Sequence, residues 1–331
     1  MYVGKIFDLK LLWPFARRNI IRTIISSTIV TSLYYFLEWT FLAVPFLPIG
    51  TIGTAVAFYV GFKNNQAYER LWEARKLWGS MTNNSRILTA TVRSVIADKA
   101  VQKDILYRHI AYINILKLQL RKTIPWATSK ENLHQSSVLE AEELLEYNKA
   151  IIQLYEKMNR MDIYELVKDR VNIASTALQQ QFQEIGKLKR SKQIDDFEHS
   201  DLLKILNEFY NIQGGCERIK TTPLFRQFSI FSRIFVVLFI FLTPFGLLTS
   251  MNNLEHIGHL GVWLTIPFSC LISWVFFTME QIGEFSENPF DNGINDIPIA
   301  TICRNIEIDI LEMMGEKDLP EKLVPHDNIL L

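Results

Sequence analysis

Phe58 and Phe62 stand four residues apart in a run without charge, and Thr54 stands four residues before them. On a helix the three stack along one side at intervals of about 6 Å. Directly after Phe62 the chain turns polar, at Lys63, Asn64, Asn65 and Gln66. Aromatic rings repeated around an axis can close a water-filled path by dewetting, and a polar cluster at its end suits a wet exit. The chemistry on offer is control of ion passage, not bond making. Thr54, Phe58 and Phe62 read as a pore neck or gate, and Lys63, Asn64, Asn65 and Gln66 as the pore exit. The competing use of the same rings is packing against lipid or a neighbouring helix. Gly50, Gly53, Ala57 and Gly61 form an adjacent stripe of small residues that lets a second helix approach closely.

Other reactive residues are sparse. Cys216, Cys270 and Cys303 are scattered, with neither a disulfide framework nor zinc spacing. His256 and His259 lie three apart beside Glu255, but a third ligand for a metal is missing. No P-loop, nucleophile elbow or zinc-protease string occurs. No catalytic residue is assigned. Two readings of other classes stay open. One is a membrane enzyme holding magnesium through Asn288, Asp291, Asn295 and Asp296 for a lipid substrate. The other is a structural membrane scaffold.

The elements that position the row come from the hydropathy pattern. The 331 residues are 49% hydrophobic, but the apolar residues are segregated. Thr23–Leu37, Phe41–Phe62, Ile234–Leu254 and Ile257–Met279 contain no Asp, Glu, Lys or Arg. Three of them reach the roughly 20 residues that a ~30 Å hydrocarbon core requires, and snorkelling of Arg22 extends the first. The expectation is four transmembrane helices in two hairpins. Pro45, Pro48, Pro244 and Pro267 are tolerated there where neighbours satisfy the freed carbonyls. Basic residues precede the first run, follow the second and precede the third, whereas the short connections at Glu38–Thr40 and near Glu255 carry none. Both termini and the long middle segment are therefore expected in the cytoplasm. Lys and Arg balance Asp and Glu at 35 each, which argues neither for nor against nucleic acid; aromatics do not interleave with basic clusters, and no nucleic-acid partner is expected.

The soluble part reads as helix throughout. Ile105, Ile110, Ile113, Leu116 and Leu120 recur at helical steps, as do Leu202, Leu203, Leu206, Phe209 and Ile212. Breaks are expected around Asp98–Ala100, Pro125–Lys130, Asn159–Asp162 and Ser191–Asp195, with a loop over 126–137 and a short helix over Ala300–Met314. Glu69 and Glu73, one turn apart and like-charged, need partners outside their helix. The chain divides into residues 1–63, a segment with the first hairpin; 64–228, a cytoplasmic helical region; 229–279, the second hairpin; and 280–331, a cytoplasmic C-terminal segment.

Gly61-Phe62-Lys63-Asn64 followed by Tyr68-Glu69-Arg70-Leu71-Trp72-Glu73-Ala74-Arg75-Lys76-Leu77-Trp78-Gly79 resembles the signature of the bacterial bestrophin-like proteins. Gly215-Cys216-Glu217-Arg218-Ile219, Asn288-Pro289-Phe290, Asn295-Asp296-Ile297-Pro298 and Cys303-Arg304-Asn305-Ile306-Glu307 agree in order. The resemblance implies an all-α homopentameric channel of the bacterial cytoplasmic membrane, with self, lipid and small inorganic ions as partners. Its neck would fall at Thr54, Phe58 and Phe62, where Thr54 makes the outer part more polar than in relatives with an aliphatic residue. A second aperture would lie near Ile194–Ser200. Animal members are calcium-activated chloride channels whose clasp is a dense acidic run. Here only Asn288, Asp291 and Asp296 remain of it, interrupted by Gly293, Ile294 and Asn295, so no cofactor is expected, calcium included. The family holds anion channels and cation-selective bacterial relatives. Glu38 and Glu255 are the acids that an outer mouth would present to cations.

Overall fold

In the computed structural model the chain is helical, and no named strand occurs among the described residues. The structure describes residues 1–4, 9–122, 148–149, 151–153, 155–156, 161, 164–165, 168–252, 258–325 and 328–330. The main helices are α1 (Leu9–Phe36), α2 (Phe46–Val95), α3 (Lys99–Arg121), α4 (Ile173–Arg190), α5 (Asp196–Thr221), α6 (Arg226–Asn252), α7 (Thr265–Phe285) and α8 (Ile299–Met314). They form two compact units. A hairpin unit comprises Gly4–Arg70 and Pro223–Glu287, and an insert unit comprises Met1–Val3, Leu71–Thr222 and Asn288–Leu331. The 50-residue α2 contributes to both, without a break where the sequence turns polar.

Three helical stretches among the described residues are long and apolar enough to cross a membrane: Thr40–Val95, Arg226–Asn252 and Leu260–Phe285. The first expected span, up to Phe36, falls within α1, which is less apolar than α6 and α7. Arg17, Arg18, Asn19 and Arg22 in its sequence account for that. Thr23, Ser27 and Thr31 recur one turn apart on α1, and Thr265, Ser269 and Ser273 do so on α7; all six are buried. Thr23 Oγ1 and Ser273 Oγ are 2.7 Å apart. In an antiparallel pair, that contact sets Ser27 level with Ser269 and Thr31 level with Thr265. The two helices meet along a seam of small hydroxyl residues, the side chains that allow close approach in membranes.

The insert unit is built from the periodic residues of the sequence. Ile105, Ile110, Ile113, Leu116 and Leu120 of α3 and Leu202, Leu206, Phe209 and Ile212 of α5 are buried in one core with Trp78, Met81, Leu88 and Val92 of α2. Asp98 caps α3, and Asp195 forms a reciprocal capping box with Glu198 at the start of α5, so two expected breaks carry their own physical cause. Helix α8 ends at Gly315, whose φ of 81° is the left-handed conformation that glycine adopts without strain. The expected breaks at Pro125–Lys130 and Asn159–Asp162 and the loop over 126–137 lie wholly or largely outside the described residues.

Candidate functional site

Helix α2 buries a regular stripe in the hairpin unit. Ile49, Gly53, Val56, Val60, Lys63 and Ala67 are all buried, at alternating steps of four and three residues. Ile49, Val56 and Val60 pack against Val236, Phe239 and Ile240 of α6, with Ile272, Phe276 and Met279 of α7 around them. At Gly53 the approach leaves no room for a side chain, since a Cβ there would stand 2.6 Å from Phe239 Cε2. The small-residue stripe therefore divides. Gly53 meets α6, the space beside Gly50 is taken by Phe46 of its own helix, and Gly61 has nothing within 4 Å.

The row Thr54, Phe58 and Phe62 lies beside that stripe and is exposed, Phe58 at 66% and Phe62 at 63%. These side chains, with Gly50, Ala57, Gly61 and Asn65, line an open groove of about 1010 Å³ floored by Phe239, Ile272 and Phe276. Phe239 and Phe276 meet at 4.6 Å between ring centroids. The residues expected to act together thus share one surface, which is almost wholly apolar. Asn65 ends it with a polar amide.

The polar cluster after Phe62 divides in the same way. Asn65 is exposed and reaches along its own helix to Glu69 Oε1 at 3.0 Å. Lys63 is buried, and its Nζ lies 2.8 Å from Oε1 of Glu280 on α7, which is equally enclosed. Asn64 donates to the Met279 carbonyl at 2.8 Å. Lys63 and Asn64 therefore serve the α2–α7 contact and do not line the groove. Sequence reasoning missed the role of Lys63, although its register with Val56 and Val60 carried the signal.

The remaining candidates are placed as follows. Glu38 is exposed in the α1–α2 connection. Glu255 and His256 lie outside the described residues. Glu73 finds its outside partner in Arg218 of α5. Within Ile194–Ser200, Ile194 is buried in the insert core and Phe197 is the exposed apolar side chain. Asp291 is engaged by Lys220 at 2.6 Å. Asp296 accepts from the Gly293 amide at 2.8 Å, and burial pushes its carboxyl up to about 6. Among the described residues no group of three His, Cys, Asp or Glu is placed to hold a metal.

The model of the bacterial and fungal bestrophin family matches residues 9–312. The chain belongs to this family. The voltage-dependent anion channel-forming protein YneE of Escherichia coli K12 is 29% identical over 307 residues, covering 92% of this chain and 89% of that protein. The voltage-dependent anion channel-forming protein mll4386 of Mesorhizobium japonicum is 28% identical over 303 residues, 92% and 85% of the two chains. A bacterial bestrophin homolog from Klebsiella pneumoniae superimposes with a TM-score of 0.75 at 25% identity, covering 91% of this chain and 98% of its own. The resemblance carried by the sequence motifs is thereby established, and the bestrophin motif at Tyr68–Gly79 lies wholly on α2. Gly215, in a second motif, lets α5 approach that helix, since a Cβ there would stand 2.9 Å from Leu77 Cδ1.

Proposed function

We propose that this bestrophin is a passive anion channel of the bacterial cytoplasmic membrane, with four spans per subunit, cytoplasmic termini and five subunits around one pore. The observation that carries the reading is the exposed apolar groove along α2, in which Thr54, Phe58 and Phe62 stand in register. Repeated around an axis, these rings make a narrow neck that water leaves readily, and dewetting closes it to ions. Relatives named as anion channel-forming support the sign of the charge. Conduction of cations is the second reading, and exposed Glu38 in the α1–α2 connection favours it.

Purified protein in planar bilayers, with asymmetric NaCl, tests both readings. A reversal potential near the chloride equilibrium value supports the anion channel, and one near that of sodium replaces it with the cation channel. Phe58→Ala or Phe62→Ala raises the closed-state current. Absence of current from the wild type and from both variants overturns the channel reading.

A further inference from the structure

Phe62 and Lys63 are consecutive, yet they point into opposite environments. Phe62 faces the open groove, and Lys63 is enclosed against α7. We infer that the Lys63–Glu280 pair is a gate-positioning clamp: it fixes the turn of α2 that carries Phe62, and breaking it loosens the neck. The inference rests on the channel reading above.

Three observations carry it. The first is enclosure: the side chains of Lys63 and Glu280 are 1% and 5% exposed. A buried charge without its partner is costly, so loss of either member drives this turn to move or take up water. The second is register. Lys63 occupies a place in the stripe Ile49, Gly53, Val56, Val60 and Ala67, where every other residue is small or apolar. An apolar side chain would satisfy packing there, and the ammonium instead ties this turn to one acid on α7. The third is a second tether on the same turn. Asn64 Nδ2 donates to the Met279 carbonyl at 2.8 Å. Asn64 Oδ1 lies where a Cβ at Gly283 would be, and Lys63 Cε would stand 3.5 Å from that Cβ. Glycine at 283 keeps the space that Asn64 needs, with Lys63 in ordinary contact beside it. Met279, Glu280 and Gly283 thus hold residues 63 and 64 from one stretch of α7, while Phe62 is free on the far side. Rotating or sliding Phe62 out of the row requires this contact to give way.

The test is chloride flux from proteoliposomes of the full-length protein, with sodium flux as a parallel arm. Lys63→Met and Glu280→Gln each raise flux about tenfold, equivalent to about 1.4 kcal/mol in the open–closed balance. The double variant Lys63→Met/Glu280→Met, in which an apolar pair replaces the ions, returns to the wild-type rate. In a Phe62→Ala background, Lys63→Met adds no further increase, because the ring that the clamp positions is gone. A role in folding alone would lower flux through lost assembly and would not be masked by Phe62→Ala. Wild-type flux from both single variants while Phe62→Ala still leaks overturns the clamp and leaves the channel reading standing. An equal increase in both backgrounds overturns it too. If Lys63→Met does not assemble, Glu280→Gln read in the wild-type and Phe62→Ala backgrounds decides. An increase that Phe62→Ala masks upholds the clamp, and wild-type flux, an unmasked increase or lost assembly rejects it. Silence from the wild type and from Phe62→Ala removes the channel reading and the clamp with it.

Discussion

The two faces of one turn of α2 invert the usual order of a protein surface. On one side Phe58 and Phe62 are exposed, and on the other Lys63 is enclosed with Glu280. In water the rings would be buried and the ammonium solvated. The inversion makes sense where the exposed face meets other subunits, lipid or a dewetted lumen. The α2–α7 contact is then where the Lys63 charge finds its partner. In the proposed channel the exposed face is the one left for subunits, lipid or lumen, and the buried charge belongs to a contact within the chain.

The strongest way to break the contrast is to leave one charge alone on the enclosed side. Lys63→Met or Glu280→Gln should lower unfolding stability by about 3–5 kcal/mol, whereas the double apolar variant should restore most of it. Thermal unfolding in detergent reads both. Next comes the face against α6. Gly53→Ala drives a methyl into Phe239 and should cost about 1–3 kcal/mol. Gly61→Ala, with open space around it, should leave the same melting transition in place.

Buried groups in the insert unit extend the contrast to pH. His109 is buried with Ser85 Oγ 2.8 Å from its Nε2, and burial pulls its imidazole down to about 3. The unfolded chain then takes up a proton that the folded one refuses, so stability falls as pH drops from about 6.5 toward 3. Asp296, raised to about 6, works in the opposite sense. It contributes stability below about 4 that is lost as pH rises through 6. Between about pH 4 and 6 the two slopes oppose each other. Asp296→Asn should unmask the His109 slope, about 1.4 kcal/mol per pH unit, and His109→Gln should unmask the reverse. Unfolding midpoints from pH 4 to 7 check the signs. The smallest stability change belongs to the exposed side. Phe62→Ala should barely shift the melting transition while raising current, and a large loss of stability would show that the ring is packed and not a gate.

Much of this architecture was legible beforehand because its causes are local. Charge-free runs marked the apolar helices, and the three- and four-residue repeats of α3 and α5 marked the buried faces. Asp98 and Asp195 sat where caps belong. Thr54, Phe58 and Phe62 fell on one surface because their spacing is helical geometry. What escaped depended on partners far along the chain. Lys63 was grouped with its polar neighbours by composition, and nothing local names Glu280, 217 residues away. The small-residue stripe was displaced by one position, since only the contact with Phe239 distinguishes Gly53 from Gly50 and Gly61. The hydroxyls of α1 and α7 repeat every fourth residue, but the register that joins them is a property of two packed helices.

That seam also bears on biosynthesis. Thr23 waits for Ser273, which lies 250 residues later in the chain. At ribosomal speeds of about 5–20 residues per second, the delay is on the order of ten to fifty seconds. Throughout it, Thr31 and its neighbours on α1 lack the helix they match. For a nascent chain inserting with the proposed topology, the first helix is the earliest to emerge, meets α6 first, and completes its hydroxyl seam only when α7 has been made.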